Sequence, residues 1–286
     1  MENKYFEAPT IYVGEVNINV TNLDKSLMFY QDIFGFDVLK KTTDKVVLTA
    51  DGEKPLLTLE QPKNVISKQK RTSGLYHFAI LLPNRSSLSE FLRHLVQSYG
   101  SQIQLGASDH DVSEALYFQD PDGNGIEVAH DRPSTEWGWN GKEVNMGTAA
   151  LDAEGLLAES TKAWTGVPKE TLIGHIHLHV SDLIETEEFY VKGLGFDIVT
   201  RYPGALFASH NGYHHHLGLN VWNGSGVPAP PKNSVGLNWF TLVFPDGQTR
   251  LETINRLEKI GATITQENNW YTTKDPAGNI IRLTVN

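Results

Sequence analysis

The sequence predicts an α+β protein made of two tandem halves, each containing two units of a strand, a helix and further strands. The segment LDKSLMFYQDIFGFDVL at residues 23–39 returns, in register and 160 positions later, as LIETEEFYVKGLGFDIV at residues 183–199. Four times along the chain, a stretch typical of a half-buried strand precedes a segment with helical spacing. With 40% hydrophobic and 20% charged residues, the 286-residue chain can bury two cores of ordinary size.

The first half is predicted to hold units at residues 12–62 and 74–130. In each unit a strand with alternating apolar residues leads into a helix, and shorter strands follow. The last two strands of the second unit flank a tight turn with the sequence DPDGNG. The predicted strands are 12–20, 44–50, 55–61, 74–82, 114–118 and 125–129, and the predicted helices are 23–34 and 87–100.

The second half is predicted to repeat this plan, with units at residues 173–222 and 236–286. Its last unit opens with an apolar strand, continues with the helical segment TRLETINRLEKIG and closes at a DPAGN turn that echoes the second unit. Residues 131–172 contain several Gly and Pro residues and a short helical stretch, ALDAEGLLAE. We therefore predict two domains, 1–130 and 173–286, joined by a linker that packs on the surface.

The composition restricts the class of protein. The formal charge of -10 is spread along a chain without a basic run, which argues against nucleic-acid and anionic-membrane partners. The absence of cysteine excludes disulfides and thiolate chemistry. The amino-terminal stretch lacks a signal-peptide pattern and no apolar run approaches membrane-spanning length, so we expect a cytoplasmic protein. The composition is compatible with a homo-oligomer.

Two motifs resemble a known family. The pattern H-x-x-x-x-V-x-D-L followed by a helix ending FY…LGF opens the third unit, and Y-x-x-DPDGN-x-IE closes the second. They resemble the vicinal oxygen chelate superfamily, which includes glyoxalase I, bleomycin-resistance proteins and extradiol dioxygenases. The resemblance covers nearly the whole chain and is greatest to two-domain catechol 2,3-dioxygenases. It implies four βαβββ modules in two tandem domains that form curved mixed β-sheet cups. In this superfamily a divalent metal is bound by first-strand and last-strand residues.

Several polar residues occupy predicted strands that are otherwise apolar. His175, His177 and His179 share one face of the strand that opens the third unit. His77 opens the second unit, and Glu127 follows its DPDGNG turn between two apolar residues. Buried imidazoles and carboxylates need partners, so this pattern favours a polar cavity over an ordinary core.

The ligand positions implied by the resemblance separate the four units. Units two and three offer His77, Glu127 and His175, whereas unit four has Trp239 and Arg282 at the positions of His77 and Glu127. Two imidazoles and one carboxylate suit non-haem Fe(II), and they also accept Mn, Ni or Zn. We therefore predict a cup that pairs unit two with unit three, across the halves or across a dimer. This departs from extradiol dioxygenases, whose complete triad lies on units three and four.

An alternative cup would pair units one and two. Its ligands would be Glu15, His77 and Glu127, and two carboxylates with one imidazole suit Ni(II), Mn(II) or Zn(II) chemistry of the glyoxalase kind. Both sets contain His77 and Glu127. The sequence leaves the choice between His175 and Glu15 open.

The resemblance also implies catalytic residues. The catalytic Tyr of the family precedes its ligand Glu by ten residues, as Tyr117 precedes Glu127 here. A catalytic His of the family lies in a segment similar to NGYHHHLGL and aligns best with His215, although His214 is close. On a strand, His214 and His216 would share a face opposite His215, and the sequence does not settle which face points inward. His110 is a further candidate near the substrate hydroxyls.

The resemblance implies an extradiol dioxygenase that inserts O2 into a catechol at Fe(II) and yields a semialdehyde, as in aromatic catabolism. The expected partners are a small aromatic diol and O2. A glyoxalase-like metal isomerase or thiol transferase and a metal-free drug-binding protein are the alternatives. The sequence contains no nucleophile elbow, P-loop or dinucleotide motif.

Overall fold

The computed structural model describes residues 2–100, 102–267 and 270–285. The α-helices are α1 Leu23–Phe34, α2 Arg85–Tyr99, α3 Ala153–Glu159, α4 Leu183–Glu187 and α5 Gly247–Lys259. Two 3-10 helices span Asn3–Tyr5 and Ser134–Glu136, and a π-helix spans Glu188–Gly193. The strands are β1 Tyr12–Asn19, β2 Asp37–Lys41, β3 Lys45–Thr49, β4 Leu57–Glu60, β5 Gly74–Leu81, β6 Gly106–Asp109, β7 Ser113–Gln119, β8 Gly125–Asp131, β9 Trp139–Asn140, β10 Glu143–Val144, β11 Leu172–His179, β12 Asp197–Tyr202, β13 Ala205–Ser209, β14 Leu217–Asn220, β15 Gly236–Phe244, β16 Thr265–Glu267, β17 Trp270–Lys274 and β18 Ile280–Val285.

The strands form two eight-stranded mixed sheets and one small hairpin of β9 and β10. The first sheet has the order β16-β17-β18-β15-β1-β4-β3-β2, and the second has the order β12-β13-β14-β11-β5-β8-β7-β6. Antiparallel pairing of β1 with β15 joins unit one to unit four, and antiparallel pairing of β5 with β11 joins unit two to unit three. The predicted α+β fold with four βαβββ modules is confirmed. The pairing of units two and three occurs within one chain.

Alternation along the central strands separates a core face from a concave polar face. In β11, Ile176 and Leu178 are buried in the apolar core, while His175 and His177 lie on the other face. In β1, Val16 and Ile18 are in the same core cluster. The apolar faces of both sheets therefore share one core with the helices, and the polar faces are left to form sites.

The repeated FY and DP-x-GN motifs meet through hydrogen bonds. The hydroxyl of Tyr30 donates to Asp120 Oδ2 at 3.1 Å, and the hydroxyl of Tyr190 donates to Asp275 Oδ2 at the same distance. Each carboxylate also accepts the backbone N–H of the asparagine that ends its own turn. These bonds tie unit one to unit two and unit three to unit four, so both copies retain the motif for structural reasons.

Several local features differ from the predictions. Helix α1 has the predicted bounds, because Asn22 accepts from the backbone N–H of Lys25 at its start and Gly35 adopts a left-handed conformation at its end. The corresponding segment of unit three instead continues from α4 into a π-helix. The segment predicted as a surface linker contributes Trp137, Val144 and Leu156 to the buried set. These three apolar side chains are buried, while most other residues of the segment are partly or fully exposed.

Within the described ranges, no helix has the length and apolar character needed to cross a membrane.

Candidate metal centre

A β-bulge shapes the first strand of unit two. His77 pairs with His177, whereas the next pair joins Leu75 to Leu178, so Tyr76 is an extra residue on β5. Tyr76 and His77 therefore both face the concave side. A Cβ atom at Gly125 would lie 2.1 Å from the carbonyl oxygen of Tyr76, so glycine is required where β8 pairs beside the bulge.

Three side chains converge on the concave face of the second sheet. Glu127 Oε2 lies 3.0 Å from His77 Nε2 and 3.1 Å from His175 Nε2. The two Nε2 atoms are 3.4 Å apart. The three potential ligand atoms all lie within 4.8 Å of one another, and the three residues are buried. The structure thus brings together the triad favoured by the sequence.

The electrostatics of the triad favour an ionised Glu127 carboxylate beside a neutral His77 imidazole. Burial alone would raise the pKa of Glu127, but the attraction of His175 and His77 and their hydrogen bonds outweigh it and hold that pKa well below its usual value. Burial lowers the pKa of His77, and its bond to Glu127 offsets this only partly. An anionic carboxylate and two neutral imidazoles are the protonation states in which these groups bind metals.

The donor set fits a divalent metal. Glu127 is 2% exposed, and its ion-pair partners among the described residues are the imidazoles of His77 and His175 rather than a Lys or Arg side chain. A buried carboxylate of this kind is costly unless a cation compensates it. Two histidines and one carboxylate on one side of an open cavity match the facial arrangement used for divalent iron and related ions.

Tyr117 and His110 form a hydrogen-bonded pair beside the triad. Tyr117 is the strand neighbour of Glu127 in the β7–β8 register. His110 Nδ1 lies 2.7 Å from the carbonyl oxygen of Gly147, so Nδ1 carries the proton and Nε2 accepts from the Tyr117 hydroxyl at 2.7 Å. Burial raises the pKa of Tyr117 well above its usual value, so the phenol is neutral. His110 is therefore part of the cavity wall.

The three consecutive histidines precede β14 and do not lie on it. The predicted alternation of the three rings along a strand does not hold, because β14 begins at Leu217 and backbone pairing with the neighbouring strands reaches back only to His216. His215 reaches the cavity, with its ring centroid 4.1 Å from that of His175. His214 instead bonds Asp131, and His216 bonds the carbonyl oxygen of Tyr5.

The triad opens onto a cavity of about 350 Å³. Most of its apolar wall escaped prediction, since the contributing residues come from several separated segments and carry no ligand motif. Tyr76 faces inward only because of the bulge, and Met146 to Thr148 belong to the predicted linker. His177 alone had a signal, as it shares the face of His175. The further wall residues are Tyr76, Ser108, Met146, Gly147, Thr148, His177, Thr200, Tyr202, Phe207 and Trp222.

The equivalent positions of the first sheet hold no such donor set among the described residues. The Arg282 guanidinium lies 3.8 Å from the ring centroid of Trp239 and 4.7 Å from that of Trp270. Thr272 pairs with Arg282 in the register that joins Tyr117 to Glu127 in the second sheet. In the first sheet, a guanidinium stacked on indole rings therefore takes the place of the metal ligands.

Glu15 lies in this first sheet, where it accepts a hydrogen bond from the hydroxyl of Thr58. Its strand, β1, pairs with β15 and β4, while His77 and Glu127 belong to the other sheet. The alternative set of Glu15, His77 and Glu127 is therefore not assembled.

Fold and site together define a class of protein in which paired βαβββ modules form a cup with divalent-metal ligands on its concave face. The sequence profile of the Glyoxalase/Bleomycin resistance protein/Dioxygenase superfamily matches residues 12–128 and 172–283. The chain belongs to this superfamily, which confirms the resemblance found in its motifs.

Two related sequences and one solved structure are similar to this chain. The chain is 47% identical over 271 residues to a protein named catechol-2,3-dioxygenase from Bacillus subtilis, covering 93% of this chain and 94% of the relative. It is 28% identical over 163 residues to biphenyl-2,3-diol 1,2-dioxygenase 3 of Rhodococcus globerulus, covering 54% and 83%. Glyoxalase I from Zea mays shares the fold, with a TM-score of 0.56 and 17% identity over 96% of this chain and 92% of that one.

Proposed function

We propose that this protein is an extradiol dioxygenase that cleaves a small catechol with O2 at Fe(II) bound by His77, Glu127 and His175. The observation that carries the proposal is the triad on the concave face of the second sheet, open to a cavity that His215 and Tyr117 also line. The 47% identity to a catechol-2,3-dioxygenase supports the same reaction class. The expected product is a semialdehyde.

Each ligand has a position fixed by its strand. His77 and Glu127 are held on parallel neighbours β5 and β8, and His175 is held on β11, the antiparallel neighbour of β5. When bound, the metal supplies a Lewis acid that lowers the pKa of the diol hydroxyls and a meeting place for the diol and O2. The ligand strands belong to one sheet, so the donor atoms are held without a hinge between them.

His215 is the residue placed to move a proton. Its ring contacts that of His175 and lines the cavity, so a diol oxygen near the triad would lie within reach of its imidazole. Burial lowers the pKa of His215 well below its usual value, which leaves the ring neutral and able to accept a proton.

Tyr117 and the apolar wall orient the substrate. Tyr117 stands on the strand beside Glu127 and donates its hydroxyl proton to His110, which leaves the phenol oxygen able to accept a hydrogen bond from a diol hydroxyl. Phe207 and Trp222 line the cavity and contact the ring of His177, so the space next to the triad is walled by aromatic surface. A cavity of about 350 Å³ with such walls suits a small aromatic ring.

The proposal is tested by loading the purified protein with Fe(II) under anaerobic conditions and adding catechol and air. Visible absorbance of the yellow semialdehyde and oxygen uptake at an electrode should rise together, in proportion to bound iron. Failure of both signals with catechol and alkylcatechols, at stoichiometric bound iron, would contradict the proposal.

A matched pair of variants separates the two ligand sets. The His175→Ala variant should lose bound iron and turnover, because it removes one of three ligands. The Glu15→Gln variant should keep both, because Glu15 lies in the other sheet. The reverse result would assign the metal to a set that contains Glu15.

A further inference from the structure

A buried chain of hydrogen bonds leads away from the cavity behind His215. His214 Nε2 lies 2.9 Å from Asp131 Oδ1, and His214 Nδ1 lies 2.8 Å from His215 Nδ1. His214 is 1% exposed and His215 is 8% exposed. The metal ligands do not take part in this series of hydrogen bonds, and the proposed reaction does not by itself require Asp131 or His214.

The carboxylate of Asp131, at the end of this series, determines which atom donates in each hydrogen bond. An ionised carboxylate can only accept, so His214 Nε2 carries a proton toward Asp131. In a neutral His214 ring, Nδ1 is then an acceptor, and the short contact with His215 requires the proton to lie on His215 Nδ1. This leaves His215 Nε2 unprotonated and available to a ligand in the cavity.

The surrounding residues hold the chain in place. The hydroxyl of Tyr213 donates to the second carboxylate oxygen of Asp131 at 2.8 Å. The His214 ring packs between Tyr213, with ring centroids 4.0 Å apart, and Trp137, at 5.0 Å. Tyr5 stacks in turn on Trp137, with centroids 5.4 Å apart. The amino-terminal segment and the segment between the halves thus enclose the imidazole of His214 on an aromatic surface.

We propose that Asp131 and His214 are positioning residues that fix His215 in its Nδ1-protonated tautomer, with Nε2 directed to the substrate. The inference rests on the proposed function, in which His215 accepts a proton from the diol. It extends the working site beyond the cavity, since neither Asp131 nor His214 lines it. Asp131 acts on His214, and His214 acts on His215.

Three variants test this inference on the iron-loaded enzyme. His214→Phe keeps a ring among the aromatic neighbours but removes the acceptor for His215 Nδ1, and Asp131→Asn removes the charge. Both should lower kcat by about tenfold or more per bound iron while KM for catechol changes less than about threefold. The matched control is His216→Phe, an equally buried ring of the same segment whose nitrogens bond only backbone groups. It should cost stability but keep kcat per bound iron within about twofold.

The tautomer can be read without turnover. Long-range ¹H–¹⁵N correlation spectra of the Zn(II)-loaded, ¹⁵N-histidine-labelled protein should show His215 with its proton on Nδ1, the resonance being assigned with a His215→Gln variant. His214→Phe should shift His215 toward the Nε2-protonated form or a mixture, whereas His216→Phe should not.

The outcomes separate the two proposals. An Nε2-protonated His215 in the unmodified protein, or wild-type kcat in both the His214→Phe and Asp131→Asn variants, would overturn the positioning role. If His214→Phe does not fold, Asp131→Asn and the spectrum of the unmodified protein still decide. Absence of ring cleavage by the unmodified enzyme would instead count against the proposed function, and the spectrum would test the tautomer independently.

Discussion

At the scale of single residues, the candidate metal site of the second sheet differs from the equivalent part of the first sheet by only a few side chains. His77 and Glu127 occupy positions that Trp239 and Arg282 fill in the first sheet, on strands with matching register. In one sheet the carboxylate faces imidazoles, and in the other the guanidinium stacks on indole rings. Strands with matching register therefore carry a candidate set of metal ligands in one sheet and cation–aromatic packing in the other.

The role of the Tyr117 hydroxyl in catalysis can be tested by replacing the tyrosine with phenylalanine. The Tyr117→Phe variant should keep bound iron and the fold, because the ring packing remains and the metal ligands are untouched. Its kcat should fall about 10- to 100-fold, since a hydrogen bond to the reacting diol is lost. Steady-state oxygen uptake, normalised to iron content, measures the effect. A Thr272→Val variant at the equivalent position of the first sheet is the control and should retain full activity.

The raised pKa of Asp275 predicts how the free energy of unfolding depends on pH. Burial raises its pKa to about 6, although hydrogen bonds from Asn279 and Tyr190 partly oppose this. Because the native state holds the proton in a range where the unfolded chain has released it, the stabilising contribution of Asp275 is complete below about pH 4. It is lost as the pH rises to about 6, by about 3 kcal/mol in all.

An Asp275→Asn variant should remove this dependence. Relative to wild type, its free energy of unfolding should improve between pH 4 and pH 7, as measured by urea titration at both values. A difference between the two proteins that stays constant with pH would contradict the raised pKa.

At the scale of elements, the helices and the strands that carry the triad were predictable because their patterns are long and regular. Helix α1 has the predicted bounds, strand β15 begins at the predicted start of the fourth unit, and the face shared by His175 and His177 was read from alternation alone. The bulge at Tyr76 was not predictable, since it depends on pairing with a strand about 100 residues away. The conformation of the segment that contains His214 to His216 was missed for a related reason: a strand pattern does not show where pairing begins.

The Tyr–Asp bonds of the repeated motifs predict the effect of a single hydroxyl on stability. A Tyr190→Phe variant leaves the buried carboxylate of Asp275 with one donor fewer, and it should lower the free energy of unfolding by about 1–3 kcal/mol. Activity per bound iron should be retained, because neither Tyr190 nor Asp275 is a candidate ligand or lines the cavity. Urea unfolding and oxygen uptake give the two readings, and Tyr30→Phe should behave alike.

At the scale of the whole molecule, each sheet draws one unit from each half of the chain. His77 and Glu127 come from the first half, and His175 and His215 come from the second. The sequence repeat predicted four units and their ligand content indicated which two belong together, but the return of unit four to unit one left no mark in the motifs.

Division of the chain in the segment between the halves gives the corresponding prediction. Residues 1–150 and 151–286, expressed separately, should each bind less than a tenth of the iron of the intact chain, because neither has three ligands. Co-expression of the two pieces should restore bound iron and ring cleavage to a measurable extent. Iron content by elemental analysis decides, and a separate piece that binds iron stoichiometrically would contradict the shared site.

The pairing of β1 with β15 has a consequence for synthesis on the ribosome. Strand β1 is among the first segments made, yet its antiparallel partner begins at Gly236, more than 200 residues later. The second sheet lies wholly within residues 74–220 and can close earlier. During that interval β1 has one edge without its native partner, which is the situation in which strands pair with other chains. Nascent chains should therefore aggregate most readily after the second sheet has formed and before the first sheet is complete.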